Sequence, residues 1–206
     1  MTMTTALGAP RANRRELQKE QTRLDLAIAA LQMAVADGLS AVRVPQVAAS
    51  AGVSPRTFNN YFSSKEQAIV WPAGRHAAAV AGNLRRSNDQ PLAEAVVGAV
   101  IAQYRPATDD GLPKNWLRDF RALVAREPAL YAEYLVAMSA AEHDLAEAIA
   151  ERLPADAGLP AMVWAAMICG AERAAVLHWT RTRSRPLAEL VRAAVEQAVV
   201  GLDAHP

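Results

Sequence analysis

Arg56, Asn59 and Asn60 stand together in the run Ser54-Pro55-Arg56-Thr57-Phe58-Asn59-Asn60-Tyr61-Phe62. A guanidinium can donate bidentately to guanine O6 and N7, and a carboxamide can pair with adenine N6 and N7. On one exposed helical face, these side chains can therefore read base edges in a major groove. Phe58, Tyr61 and Phe62 recur at spacings of three and four, which anchors the opposite face of the same short helix. Ser54 is a good N-cap for it, and Pro55 suits its first turn, where a missing N–H costs little. Just upstream, Pro45 to Ala51 forms another short helix with Val47, Ala48 and Ala51 on one side. Gly52 permits the turn between the two, and Val53 places an apolar side chain beneath the corner. The stretch from Val44 to Lys65 thus reads as a helix-turn-helix. An ordinary helical hairpin with a solvated outer face has the same periodicity, but it gives no reason for the base-reading side chains to gather on that face.

The segment immediately after the hairpin supports this reading. In Ser63-Ser64-Lys65-Glu66-Gln67, either Ser63 with Glu66 or Ser64 with Gln67 makes a capping box that opens a further helix. A lysine in that first turn opposes the helix dipole but is well placed for a phosphate.

The run from Leu24 to Ile69 resembles the N-terminal domain of TetR-family transcriptional regulators. The residues that carry the resemblance are Ala48, Gly52, Val53, Ser54, Thr57, Phe58, Tyr61, Phe62, Ser64, Lys65 and Glu66, all in one register. The resemblance implies a DNA-contacting set of Arg43, Ser54, Pro55, Arg56, Thr57, Asn59, Asn60, Tyr61 and Lys65. Within it, Arg56, Asn59, Asn60 and Pro55 would meet bases, while Thr57, Tyr61 and Lys65 would hold phosphates. Three positions depart from the family pattern. Asn59 stands where an aromatic is frequent, so contacts there would be polar. Arg43 replaces the threonine that opens the helix after it, which removes a cap and offers an additional phosphate contact. Ala34 stands where a phenylalanine is common, leaving core volume for a neighbour such as Met33 to fill.

The remaining elements must position this hairpin. A helix from about Glu16 to Asp37 has Leu24, Ala27, Ile28, Leu31 and Val35 as its apolar stripe, and Gly38 ends it. It is expected to brace the pair without entering the groove. Residues 1–13 read as a flexible arm, residues 14–66 as the DNA-binding domain and residues 67–206 as a second helical domain. Arg11, Arg14, Arg15 and Lys19 make a basic stretch that either is solvated or touches DNA.

Composition agrees with an all-α fold. Of 206 residues, 52% are hydrophobic and only 5% aromatic, and alanine is abundant, which suits packed helices. The net charge of +1 does not by itself indicate a nucleic-acid binder. Its distribution says more: residues 1–66 carry eight Lys/Arg against five Asp/Glu, whereas the rest carry 14 against 16. A single cysteine, Cys169, excludes an internal disulfide and fits a reducing compartment. No apolar stretch of signal-peptide length opens the chain, and no uninterrupted run reaches the ~18 residues of a membrane span, so a cytoplasmic location is expected.

Helices are expected over 65–86, 92–104, 116–127, 129–152, 161–182 and 186–202, with a loop at 105–113. Pro72 either kinks the first of these or divides it. By resemblance, the last two helices form a four-helix interface in a homodimer, as successive major grooves ~34–36 Å apart require. Ala171, Ala175, Leu187, Leu190, Val191, Ala194 and Ala198 are the expected contacts, although either helix could equally pack inside a single chain.

The chemistry of catalysis has no support. His76, His143, His178 and His205 are far apart, no metal-ligand or cofactor-binding motif occurs, and Cys169 reads as a structural thiol. Neither a metal nor a cofactor is expected. Trp116, Phe120, Tyr134, Met138, Trp164, Met167, Ile168 and Glu172 are the candidates for a ligand pocket in the body, although pocket walls and ordinary cores share this composition and each large side chain among them reads first as core. Glu172 and Arg173 interrupt an apolar helix, and either both face solvent or one orients a polar ligand group. Asp119-Phe120-Arg121, Glu127-Pro128 and Glu151-Arg152-Leu153 resemble the acyl-CoA-responsive branch of the family, which implies an elongated apolar effector. The expected activity is that of a repressor on a palindromic double-stranded operator, released by such an effector. The alternatives are a dimeric DNA-binding regulator without a ligand and an α-helical carrier or enzyme.

Overall fold

The computed structural model describes residues 11–104, 111–113, 116–182, 185–200 and 202. Among these there are nine α-helices and no strand. Packing divides the chain into two compact units, residues 1–72 and 73–206.

In the first unit, α1 (Arg11–Asp37) is followed by a 3-10 turn (Leu39–Ala41), α2 (Val44–Ser50), α3 (Pro55–Tyr61) and the start of α4 (Lys65–Arg85). Helix α1 begins earlier than expected, so Arg14 and Arg15 belong to it as Lys19 does. Nothing in 11–15 breaks a helix, and Lys19 pairs with Glu16 across one turn at 2.8 Å. Of the arm expected over 1–13, residues 11–13 belong to α1 and residues 1–10 lie outside the described residues. The buried face of α1 carries Leu24, Leu26, Ala27, Ala30, Leu31 and Ala34, while Ile28 is half-buried and Val35 is exposed. The buried stripe runs through Ala27, Ala30, Leu31 and Ala34, which turns the adjacent Val35 toward solvent. Ala34 is buried at 1% exposure and Met33 only partly, so the small side chain is accommodated by close packing.

Phe58 and Phe62 close this core with ring centroids 5.7 Å apart, and Trp71 meets Phe62 edge-on at 6.2 Å. The Arg23 guanidinium lies 5.4 Å from the Phe62 centroid and 5.1 Å from that of Trp71. Ala68 and Ile69 are fully buried, so the first turns of α4 belong to this core and the border expected after residue 66 falls inside it. The helix continues through Pro72 without a break. The missing N–H leaves one carbonyl without its helical partner, a cost that the rest of a 21-residue helix evidently tolerates.

The second unit contains the remainder of α4, then α5 (Leu92–Ala102), α6 (Trp116–Val124), α7 (Pro128–Ala150), α8 (Gly158–Thr182) and α9 (Leu187–Ala198). Most of the loop expected at 105–113 lies outside the described residues. Helix α8 packs against α7 and α9, and α9 also packs on α5. Their shared core includes Val80, Leu84, Val96, Val100, Leu145, Ile149, Ala165, Ile168, Val191 and Val195. Gly74 allows α4 to approach α7 closely: a Cβ there would stand 3.2 Å from that of Ala137. Arg85 grips Glu151 with three hydrogen bonds of 2.8–3.1 Å, and Arg152 donates to the carbonyls of Ser87 and Gln90. The Arg85 guanidinium holds the Glu151 carboxyl below its ordinary value.

By length and hydropathy, α8 would suffice to cross a membrane. In this chain its apolar residues serve two faces, one in the core and one outward, and Glu172 and Arg173 interrupt it.

Candidate DNA-reading surface and body cavity

The reading hairpin is built as its residues dictate. Ser54 Oγ accepts from the Thr57 backbone N–H at 3.1 Å, and the two hydroxyls are 2.9 Å apart, so the N-cap fixes where α3 starts. Gly52 adopts φ 68° at the turn, a conformation that favours glycine. The Val53 N–H then donates to the carbonyl of Ala48 at 2.9 Å, tying α3 to α2. Phe58 is fully buried, and that burial holds Ser54, Pro55, Arg56, Asn59 and Asn60 at the surface. Thr57 and Tyr61 are half-buried beside them. Gln46, Ala49 and Ser50 on α2 are also exposed.

Two cations of the expected phosphate-contacting set have partners within the chain. Lys65 Nζ donates to the carbonyls of Leu39 at 2.8 Å and Val42 at 3.3 Å, and its side chain is partly buried. Arg43 Nη1 donates to the carbonyls of Ser40 and Val42. Arg43 supplies no side-chain cap to α2. Both long cations therefore collect carbonyls around the 3-10 turn, of which that of Leu39 also accepts from the Val42 N–H at 3.3 Å. At the start of α4, the Gln67 N–H donates to Ser64 Oγ at 3.0 Å, while Gln67 Oε1 accepts from the Ser63 N–H at 2.8 Å. Of the two capping boxes the sequence allows, the Ser64–Gln67 pair forms, with its return bond one residue upstream.

Within the second unit, a cavity of about 30 Å3 opens among α4, α5, α6, α7 and α8. Of the residues expected around a ligand, Tyr134, Met138, Ile168 and Glu172 line this cavity. Phe120 does not: it is fully buried between Trp116 and Tyr134, with centroids 6.2 and 6.0 Å away. Trp116 itself leans on His76. Trp164 packs half-buried against the core, and Met167 lies on the outer face of α8 at 46% exposure. Bulk and aromaticity do not separate a pocket wall from a core or an outer surface, because all three use the same side chains.

Charge placement is the signal that bulk missed. Arg121 falls in register with Leu117, Phe120 and Val124, and Glu172 with Ile168, Ala175 and Val176, so both occupy inward-facing stripe positions. Tyr104 Oη donates to Glu172 Oε1 at 2.5 Å, and Gln103 Nε2 donates to the same oxygen at 3.2 Å. Arg121 Nη1 donates to Tyr134 Oη at 2.5 Å, with the guanidinium 4.7 Å from the centre of that ring. Burial pushes the Glu172 carboxyl above its ordinary value, against the pull of Tyr104, Arg121 and Arg173. It also raises both tyrosines and moves the Cys169 thiol to about 12, which leaves that sulfur protonated and unreactive at neutral pH. Among the described residues no cluster of His, Cys, Asp or Glu could hold a metal ion.

The expected dimer contacts face the other way. Val191, Ala175 and Ala198 are buried inside one chain, and Ala171, Leu187, Leu190 and Ala194 pack partly buried on the same core. The α9 stripe is satisfied by α5 and α8 of its own chain, an outcome that periodicity cannot distinguish from an intermolecular one. The apolar surface left uncovered on α8 consists of Leu159, Met162, Val163, Met167 and Leu177, all 46–72% exposed.

Comparison with known proteins agrees with both units. Residues 28–68 match the model of bacterial regulatory proteins of the tetR family, and residues 90–203 match the MftR C-terminal domain. The HTH-type transcriptional regulator TcmR of Streptomyces glaucescens is 33% identical over 143 residues, spanning 67% of this chain and 63% of the relative's length. Among solved structures, the fatty acid degradation regulator FadR from Bacillus halodurans has the same fold, with a TM-score of 0.57 at 19% identity, over 87% of this chain and 95% of that one. A TetR-family regulator of Mesorhizobium loti MAFF303099 gives 0.50 at 18%, over 89% and 97%. With a capped, aromatic-anchored hairpin in front, an all-helical body behind and matching family models over both, the chain belongs to the TetR family of bacterial regulatory proteins.

Proposed function

We propose that the chain is a cytoplasmic transcriptional regulator, a repressor that binds a palindromic operator as a homodimer and releases it when a small, largely apolar effector enters the body. The observation that carries the DNA-binding reading is the display of Arg56, Asn59 and Asn60 on a helix whose other face is pinned by fully buried Phe58. Base-reading side chains need a fixed platform, since a contact displaced by an ångström loses its geometry. The uncovered stripe on α8 supports self-association, because a two-fold axis along that helix would bury it against its own copy. Effector and operator affinities then oppose one another reciprocally, by ~1–3 kcal/mol of coupling typical of such systems.

The test is selection of bound fragments from the source genome by the purified chain, then a salt titration on the enriched site. A palindrome whose affinity falls steeply with salt supports the reading, whereas no enrichment above random DNA removes it. A second reading, a regulator that takes no ligand, draws support from the cavity, whose 30 Å3 holds about one water. An acyl-CoA, the effector class the sequence suggests, would need that cavity to open widely.

A further inference from the structure

Arg121 is the feature of the body that the fold alone does not explain. Its Nε is buried and has no hydrogen-bond partner, whereas one Nη donates to Tyr134. A guanidinium N–H held away from water with no acceptor costs free energy that an apolar residue at the same stripe position would not. The negative groups nearby leave it unused: the bonds to Glu172 come from Tyr104 and Gln103, and among the described residues Arg121 forms no ion pair. The cavity wall combines aliphatic side chains, among them Val80, Val100, Leu145 and Ile168, with the charged Glu142, Glu172 and Arg173.

We propose that Arg121 is the anchor for a carboxylate, and that the body cavity takes a compact apolar organic acid. The inference rests on the ligand-responsive reading above and names the ligand class for it. A carboxylate beside Nε accepts a hydrogen bond from its N–H together with one from the adjacent Nη, a planar bidentate pairing of the kind that makes arginine a strong carboxylate binder. The apolar remainder of the acid lies among the aliphatic side chains. Because the present cavity admits about one water, entry requires side chains to move. Met138 is unbranched and Arg173 is exposed at the wall, so both can yield without disturbing the helices. A phosphate dianion is less suited, because it brings a second charge close to Glu142 and Glu172.

Isothermal titration of the full chain with benzoate, octanoate and decanoate, each beside its matched alcohol, and with inorganic phosphate tests the proposal without needing the operator. At least one acid is expected to bind at least about tenfold more tightly than its alcohol, and Arg121→Gln to remove that preference. Arg121→Lys keeps the charge while losing Nε, and is expected to weaken the acid by a similar factor if the fork geometry is what matters. Circular dichroism melts identify any variant that fails to fold, and the wild-type comparison of acid with alcohol stands whatever the variants do. Equal binding of acids and alcohols overturns the carboxylate anchor while leaving a ligand-responsive body intact. Phosphate binding as tight as the acids shows a general anion site and also overturns it. Silence across all probes refutes both the anchor and the cavity as a small-ligand site.

Discussion

Replacing Lys65 by alanine separates two roles that the sequence assigns to one position. As a phosphate contact, Lys65 would weaken binding to all DNA sequences alike and reduce the salt slope by ~1, with no effect on folding. As the structure has it, Nζ is 2.8 Å from the Leu39 carbonyl and 3.3 Å from that of Val42. Hydrogen bonds from a charged donor contribute ~1.5–3 kcal/mol each when well formed. The second bond is long and the site only partly buried, so the pair together is expected to contribute no more than about 2 kcal/mol. Lys65→Ala should therefore lower the stability of the first unit by ~1–2 kcal/mol. Amide hydrogen exchange read on Val42 to Ala48 is a suitable assay, since it reports this unit without assuming that the whole chain unfolds in one step. Operator affinity should fall because α2 and α3 lose their support, with the salt slope unchanged. Unaltered exchange together with a shallower salt slope would refute the tether and restore the phosphate contact.

The same geometry carries three more expectations. If Arg56 forks to a guanine, Arg56→Ala costs ~1–3 kcal/mol on the cognate site and relaxes preference at one base pair, which a panel of single-base operator variants checks. Equal losses on cognate and random DNA would deny it a base contact. Glu172→Gln removes a titration: with its carboxyl raised by burial, the folded chain holds this proton more tightly than the unfolded one. The stability Glu172 provides is complete below its ordinary value of 4.5 and is lost as pH rises through the folded value. Stability curves of the two proteins should then diverge above pH 4.5 by no more than about 1.4 kcal/mol per pH unit, and parallel curves would show that the carboxyl is not perturbed. If the chain self-associates through the uncovered α8 stripe, Met162→Glu places a charge in that face and should shift sedimentation toward the monomer, whereas unchanged sedimentation would deny the stripe that role.

The hairpin was legible because its information is local. Ser54 caps the helix it precedes, Gly52 bends the chain where it stands, and the spacing of Phe58 and Phe62 assigns faces without reference to distant segments. Each of these is settled over one or two turns by backbone sterics and 3.6-residue periodicity. Helix order and the all-α class are legible in the same way, since proline, glycine and apolar spacing mark where each helix can exist.

Tertiary structure alone decided what each side chain meets. The sequence offered Lys65 and Arg43 for phosphate, but the carbonyls of Leu39 and Val42, 26 and 23 residues from Lys65 along the chain, came within its reach. It showed an apolar stripe on α9 but not that α5 and α8 of the same chain would cover it. It showed Arg121 and Glu172 breaking apolar patterns but not that the helices carrying them converge on one cavity. The physical reason is common to all three. Periodicity specifies that a face must be buried, and only the packing of remote segments specifies against what.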